Sequence, residues 1–155
     1  MDKTKTISVN KKAYHDYHIE ESYEAGLALT GSEIKSIRLG RVNIKDAYAR
    51  PEKGELWLYN SHVPAYQIGG FIEHEPDRRR KLLMHRNQIA QLSEIASQKG
   101  LTLVPLRIYI KHGVAKLELG VGRGKKMFDK RDTIARRETA RVIERAMKSG
   151  SRKER

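Results

Sequence analysis

The sequence predicts a mainly β fold: a small closed or nearly closed barrel with two or three inserted helices, followed by a basic C-terminal tail that is disordered when free. Three observations carry this. Short apolar alternations recur along residues 14–121, separated by turn residues. Five or six antiparallel strands in a short chain leave exposed edges unless the sheet closes on itself. Positive charge is concentrated beyond residue 121, where the apolar pattern fails: residues 122–155 hold 13 Lys and Arg against 5 Asp and Glu, so they carry +8 of the chain's +13.

Residues 1–9 are small and polar, offer no periodic apolar face, and read as a flexible lead-in. From Tyr14 the pattern changes. Tyr17, Ile19, Tyr23, Leu27 and Leu29 suit a strand, with a bulge or bend expected at Glu24-Ala25-Gly26. Thr30-Gly-Ser-Glu33 is a capping box, in which hydroxyl and carboxylate each satisfy a free amide at a helix start, and Gly40 marks the stop. Residues 42–50 and 55–59 read as strands around a Pro51-Glu-Lys-Gly54 turn. Residues 60–80 have no clean period and end in the basic run Arg78-Arg-Arg-Lys81, so they read as a long functional loop. Residues 85–99 set Ile89, Leu92, Ile95 and Ala96 on one helical face that plugs the core. Leu106, Ile108 and Ile110, a His112-Gly113 turn, then Ala115, Leu117 and Leu119 form the clearest hairpin. In the tail, residues 129–147 lack Pro and Gly and favour helix, but Ile134, Val142, Ile143, Ala146 and Met147 leave a gap at Arg137-Glu138. Such a face cannot offset the entropy of ordering alone, so the tail is expected to fold only on a polyanionic surface.

Charge sets the function class. Lys and Arg number 32 against 19 acidic residues, which points to a polyanion held by many ionic contacts, nucleic acid first. The chain has no cysteine, excluding disulfides and thiolate metal sites, and no apolar run that suits a membrane span, so a soluble cytoplasmic protein is expected. No cofactor or metal is expected. Gly120-Val-Gly-Arg-Gly-Lys-Lys126 reads either as a phosphate cradle or as a flexible hinge; it lacks the residues of a Walker loop or a dinucleotide fingerprint. Glu33-Ile-Lys35 is half of a metal-dependent nuclease signature, but Pro76-Asp77 follows it where the other half should precede. Adjacent Glu20 and Glu21 on a strand face opposite ways, and no nucleophile and base come together, so no enzymatic activity is expected. Asn10-Lys11-Lys12 and the 78–81 run supply a basic footprint. Tyr14, His15, Tyr17, Tyr59, Tyr66 and Tyr109 are candidates to stack on bases, Trp57 reads as core, and Phe128 is a stacker stranded among Lys125, Lys126, Lys130 and Arg131.

Consecutive stretches resemble one family, small protein B: Asn10-Lys-Lys-Ala13, His15-Asp-Tyr17, Tyr23-Glu-Ala-Gly26, Glu33-Ile-Lys-Ser36, Gly40-Arg-Val-Asn43, Arg80-Lys-Leu-Leu83, Gly100-Leu-Thr-Leu-Val-Pro105, Gly124-Lys-Lys126 and Asp129-Lys-Arg131. The resemblance implies an oligonucleotide-binding-like β-barrel over residues 10–121 that grips the tRNA-like domain of transfer-messenger RNA. It places RNA binding at Asn10, His15, Glu24, Leu83, Lys116 and Gly124, to which the basic runs add Lys11, Lys12, Arg80, Lys125 and Lys126. It implies a tail, residues 122–155, that enters the ribosomal decoding centre and empty mRNA channel and becomes helical there, with Phe128, Asp129, Lys130, Arg131, Ile134 and Met147 as its contacts. The implied partners are transfer-messenger RNA, the ribosome, and elongation factor Tu through the RNA. The free protein is expected to be a monomer.

Overall fold

Period-two alternation builds the two longest strands, and every other element is arranged around them. The computed structural model describes residues 4–64 and 75–125. In chain order the elements are β1 (Thr4–Val9), α1 (Lys11–Asp16), β2 (Tyr17–Leu27), α2 (Gly31–Arg38), β3 (Tyr48–Glu52), β4 (Glu55–Tyr59), β5 (Arg80–Leu83), α3 (Arg86–Ala96), β6 (Leu101–Lys111) and β7 (Val114–Gly124). All strand pairings are antiparallel, in the order β1-β6-β3-β4-β5-β2-β7, and β6 also pairs with β7. That last pairing closes six strands into a ring, with β1 lying along the edge of β6 beyond β3. The mainly β barrel expected from the sequence is the fold observed.

Leu103, Ile108, Leu117, Leu119 and Val121 from the β6–β7 hairpin point inward to meet Ala25, Leu56, Leu58 and Leu82. Its turn places His112 at φ 51 and Gly113 at φ 77, the left-handed pair that a two-residue turn of this twist needs. The β3–β4 turn repeats the solution with Lys53 and Gly54. Leu92 of α3 and Ile37 of α2 both lie in this core. The α2 capping box is formed: Glu33 N donates to Thr30 Oγ1 at 3.3 Å and Thr30 N to Glu33 Oε1 at 2.8 Å.

Five local expectations give way. Residues 4–9 are not a flexible lead-in but a strand, because β6 offers them an open edge that sequence reading alone cannot see. The strand β2 runs unbroken through Glu24-Ala25-Gly26, and its irregularity falls between Ile19 and Glu21. The strand expected from residue 42 starts at Tyr48, since Asn43 instead makes an isolated bridge to His62. The barrel ends at Gly124 rather than residue 121, and a second unit begins at Lys125. Finally, Gly120-Val-Gly-Arg-Gly124 is not a hinge; it is the last part of β7.

The reason for those glycines is a helix that the sequence reading missed. Ala13 of α1 packs with Val104 and Leu106, flanked by Tyr17 and Ile19, as a second small core on the outside of the barrel. A Cβ at Gly120 would stand 2.8 Å from a Leu106 methyl, and one at Gly122 would stand 2.9 Å from Tyr17 Cβ. Glycine at position 122 lets Tyr17, which follows α1, lie against β7, and glycine at position 120 leaves room for Leu106 of the same small core.

Candidate RNA interface

The helix α1 is fixed by Asn10. Its Oδ1 accepts from Ala13 N at 3.1 Å, capping the helix, while Nδ2 donates to Ile44 O at 3.1 Å and Pro105 O at 2.8 Å. With 2% of its surface exposed, Asn10 has no free group for a ligand: expected as an RNA contact, it shapes the site from beneath. Above it, Lys11 is exposed, and Lys12 holds Asp46 at 2.7 Å, a bond that raises the lysine's pKa and lowers that of the aspartate. His15 sits in the last turn of α1, not on a strand, with Nδ1 3.0 Å from Asp16 Oδ1. Beneath α1, Lys12, Tyr17, Lys45, Tyr48 and Thr102 line a cleft of about 360 Å³. Tyr17 pairs with Gly124 across β2 and β7, so the helix end meets the strand end that Lys125 follows.

Along the outer face of the sheet, one cross-strand row unites residues remote in sequence. Leu83 pairs with Gly26, Gly26 with Lys116, Lys116 with Tyr109, and Tyr109 with Thr6, five strands in register. The next row carries Glu24, Glu118 and Arg107. Leu83 is 50% exposed. Between the rows, Arg107 donates to Glu118 Oε1 at 3.0 Å and to Thr6 Oγ1 at 3.2 Å, and its guanidinium lies 4.3 Å from the Tyr109 ring centre. Tyr109 Oη in turn donates to Glu24 Oε2, and Lys111 approaches the same oxygen at 3.5 Å. That hydroxyl, joined by Lys111, holds the Glu24 carboxyl below its ordinary value. Burial and the bond to Glu24 push the Tyr109 hydroxyl far above its own. Tyr109 was a candidate to stack on bases; it is buried beneath Arg107 and orients Glu24 instead.

The structure thus brings together Glu24, Leu83 and Lys116, and α1, which carries Lys11, Lys12 and His15, leads directly into Tyr17, the register partner of Gly124. Arg80 is not among them. It was expected on the basic surface, but only 1% of it is exposed, and β5 turns it inward with Leu82. Its Nε donates to Glu33 Oε2 at 2.8 Å, and its terminal nitrogens reach Ser61 O, Arg78 O and Pro76 O. Burial alone would raise the Glu33 carboxyl, but Arg78, the Thr30 amide and Arg80 together hold it low. Trp57, read as core, stands on the outer face of β4 between inward Leu56 and Leu58. Tyr66, Lys126, Phe128, Asp129, Lys130, Arg131, Ile134 and Met147 lie outside the described residues. Among the described residues, no group of three or more His, Asp or Glu could hold a metal ion, and no helix is long and apolar enough to cross a membrane.

The family model described as SmpB protein matches residues 7–149, spanning α1, the whole barrel and the stretch beyond Gly124. The chain belongs to the SmpB family. Among SmpB relatives, the SsrA-binding protein of Dehalococcoides mccartyi (strain ATCC BAA-2266 / KCTC 15142 / 195) is 57% identical over 143 residues, 92% of this chain and 83% of the relative. That of Carboxydothermus hydrogenoformans is 57% identical over 145 residues, 94% and 97% of the two chains. That of Geobacillus kaustophilus is 57% identical over 144 residues, 93% of each. A solved chain from "tmRNA-SmpB: a journey to the center of the bacterial ribosome" superposes with a TM-score of 0.66 at 48% identity, covering 77% of this chain and 85% of its own. The small protein B family expected from the sequence is therefore the family found.

Proposed function

We propose that this protein binds the tRNA-like domain of transfer-messenger RNA and delivers it to stalled ribosomes, where the barrel stands in for a missing anticodon arm. The observation that carries the reading is the row Leu83, Gly26, Lys116, Tyr109, with Glu24 held beside it. It offers an apolar knob, a cation and an oriented carboxylate on one rigid surface. A folded RNA is recognised by shape and exposed base edges, for which such a fixed mixture suits better than charge alone. Lys11, Lys12 and His15 of α1, with Gly124, Lys125 and Lys126, extend the footprint toward phosphates. Arg80 and Asn10 act through what they hold in place.

Elongation factor Tu joins through the RNA, and the free protein is a cytoplasmic monomer with no catalytic role. The residues beyond Lys126, with Phe128, Asp129, Lys130, Arg131, Ile134 and Met147, probe the decoding centre and the empty mRNA channel. The identity of the SmpB relatives, and the ribosome named for the solved neighbour, support this reading.

The test is binding to the tRNA-like domain, an ordinary tRNA and a DNA duplex across a salt series. Sequence-blind ionic binding collapses as counterions compete. Retention of the tRNA-like domain at a salt concentration that releases the duplex is the expected result. Parallel loss of all three would reduce the protein to a generic basic binder.

A further inference from the structure

We propose that the outer face of β3, β4 and β5 is a second RNA-contacting surface, a stacking platform for an unpaired base, built on Arg79 and Trp57. This goes beyond the function proposed above and does not depend on it. In the closed ring of six strands, β4 lies three strands from β7 in either direction. Trp57 and Lys116 therefore lie on opposite sides of the ring, and β5 borders both surfaces, with Lys81 beside Trp57 and Leu83 in the row.

Arg79 Cζ sits 4.0 Å from a Trp57 ring centre. The guanidinium is held in that pose from its rim, by Glu52 Oε2 at 2.7 Å and Tyr59 Oη at 3.3 Å. Its side chain is nonetheless 47% exposed, so the planar cation is fixed on one side and open to solvent on the other. Guanidinium planes of this kind stack on unpaired bases, and prior fixation removes most of the ordering cost. Next to it, Tyr48 and Tyr59 are stacked with ring centres 5.5 Å apart.

Charge favours the same occupant. Arg50 and Lys81 pair with Trp57 from the two neighbouring strands, so a cation stands on either side of the ring, Lys81 already held by Glu55. With Lys53 and Arg79, the face holds four cations against two carboxylates, and those two, Glu52 and Glu55, are engaged by Arg79 and Lys81. A hydrophobic protein partner would have to desolvate all of these charges, whereas RNA supplies their counterions.

Trp57 is the chain's single tryptophan, which makes the test direct. The full chain is titrated with a short oligoadenylate, with inorganic polyphosphate as the charge-only probe, while Trp57 emission is followed. Oligoadenylate is expected to quench the emission and polyphosphate to leave it unchanged. Arg79→Gln, at an exposed position, should keep the fold by circular dichroism and weaken oligoadenylate binding about tenfold, in line with loss of one stacked base. Lys116→Ala should leave that binding intact. A 2-aminopurine base within the oligonucleotide reads the same contact independently of the protein's own fluorescence. The proposal is overturned if oligoadenylate leaves Trp57 and 2-aminopurine emission unmoved, if polyphosphate quenches equally, if Arg79→Gln binds as tightly, or if Lys116→Ala abolishes binding.

Discussion

Arg80 and Glu33 bury opposite charges against one another at 2.8 Å, joining the start of β5 to the first turn of α2 across 47 residues of chain. The remaining guanidinium hydrogens reach carbonyls on both sides of the 65–74 segment, so every charge-bearing group in the cluster is satisfied. Arg80→Met removes the buried guanidinium from Glu33 Oε2 and leaves Arg78 and the Thr30 amide on Oε1, and is expected to destabilise the barrel by about 3 kcal/mol, measured by denaturant unfolding. A double replacement of both residues by apolar ones should recover much of that loss.

The same carboxyl sets an acid limb. Its folded-state pKa lies below the ordinary carboxylate value of 4.5, so its contribution is fully present above that value and disappears as pH falls through the depressed one. Unfolding free energy should therefore drop below about pH 4.5, and less steeply in Glu33→Gln, which removes the titrating group at the cost of lower stability at neutral pH.

Gly122→Ala inserts a methyl 2.9 Å from Tyr17 Cβ, an atom too near the backbone to swing aside. The expected cost is about 1–3 kcal/mol, with α1 displaced and affinity for the tRNA-like domain reduced. Gly124→Ala meets nothing within 4 Å, so stability should stay within about 0.5 kcal/mol. Any loss of RNA affinity in that variant then reports the interface itself.

Leu83→Ala and Lys116→Ala separate apolar from ionic recognition. Both should weaken binding of the tRNA-like domain without unfolding the protein, since neither side chain lies in the core. Only Lys116→Ala should lower the slope of log affinity against log salt, by about 1.

Tyr109→Phe removes the bond that does most to hold the Glu24 carboxyl low. Titration of Glu24 by NMR should move up toward the ordinary carboxylate value. Removing everything after Lys126 is expected to leave affinity for the tRNA-like domain largely intact while abolishing peptide tagging in a reconstituted translation assay.

What could be read from the sequence followed from local physics. The alternation of Leu106, Ile108 and Ile110 with Arg107, Tyr109 and Lys111 specified a hairpin strand with a polar outer face, and Thr30 with Glu33 specified a helix start. What could not be read depended on partners distant in the chain. Arg80 looks like its neighbours in a basic run until β5 pairs with β4, when period two sends it inward while Arg79 and Lys81 stay outside. The six residues of α1 are too few for a periodic signal, and its one local clue, Asn10 three residues before Ala13, also reads as part of a basic surface motif. Gly120 and Gly122 look flexible in isolation, yet both sit within β7 with Leu106 packed on the first and Tyr17 on the second.

The pairing of β1 with β6 bears on how the chain is made. Thr4 aligns with Lys111, and the Asn10 amide closes only when Pro105 arrives beside it. A segment synthesised well before its partner strand is thus among the last able to settle. At roughly 5–20 residues per second of synthesis, residues 4–16 wait on the order of 5–20 s for their template strand. Through that interval α1 has no surface to cover and the RNA face is incomplete, so an unfinished copy of this protein cannot compete with finished ones for their ligand.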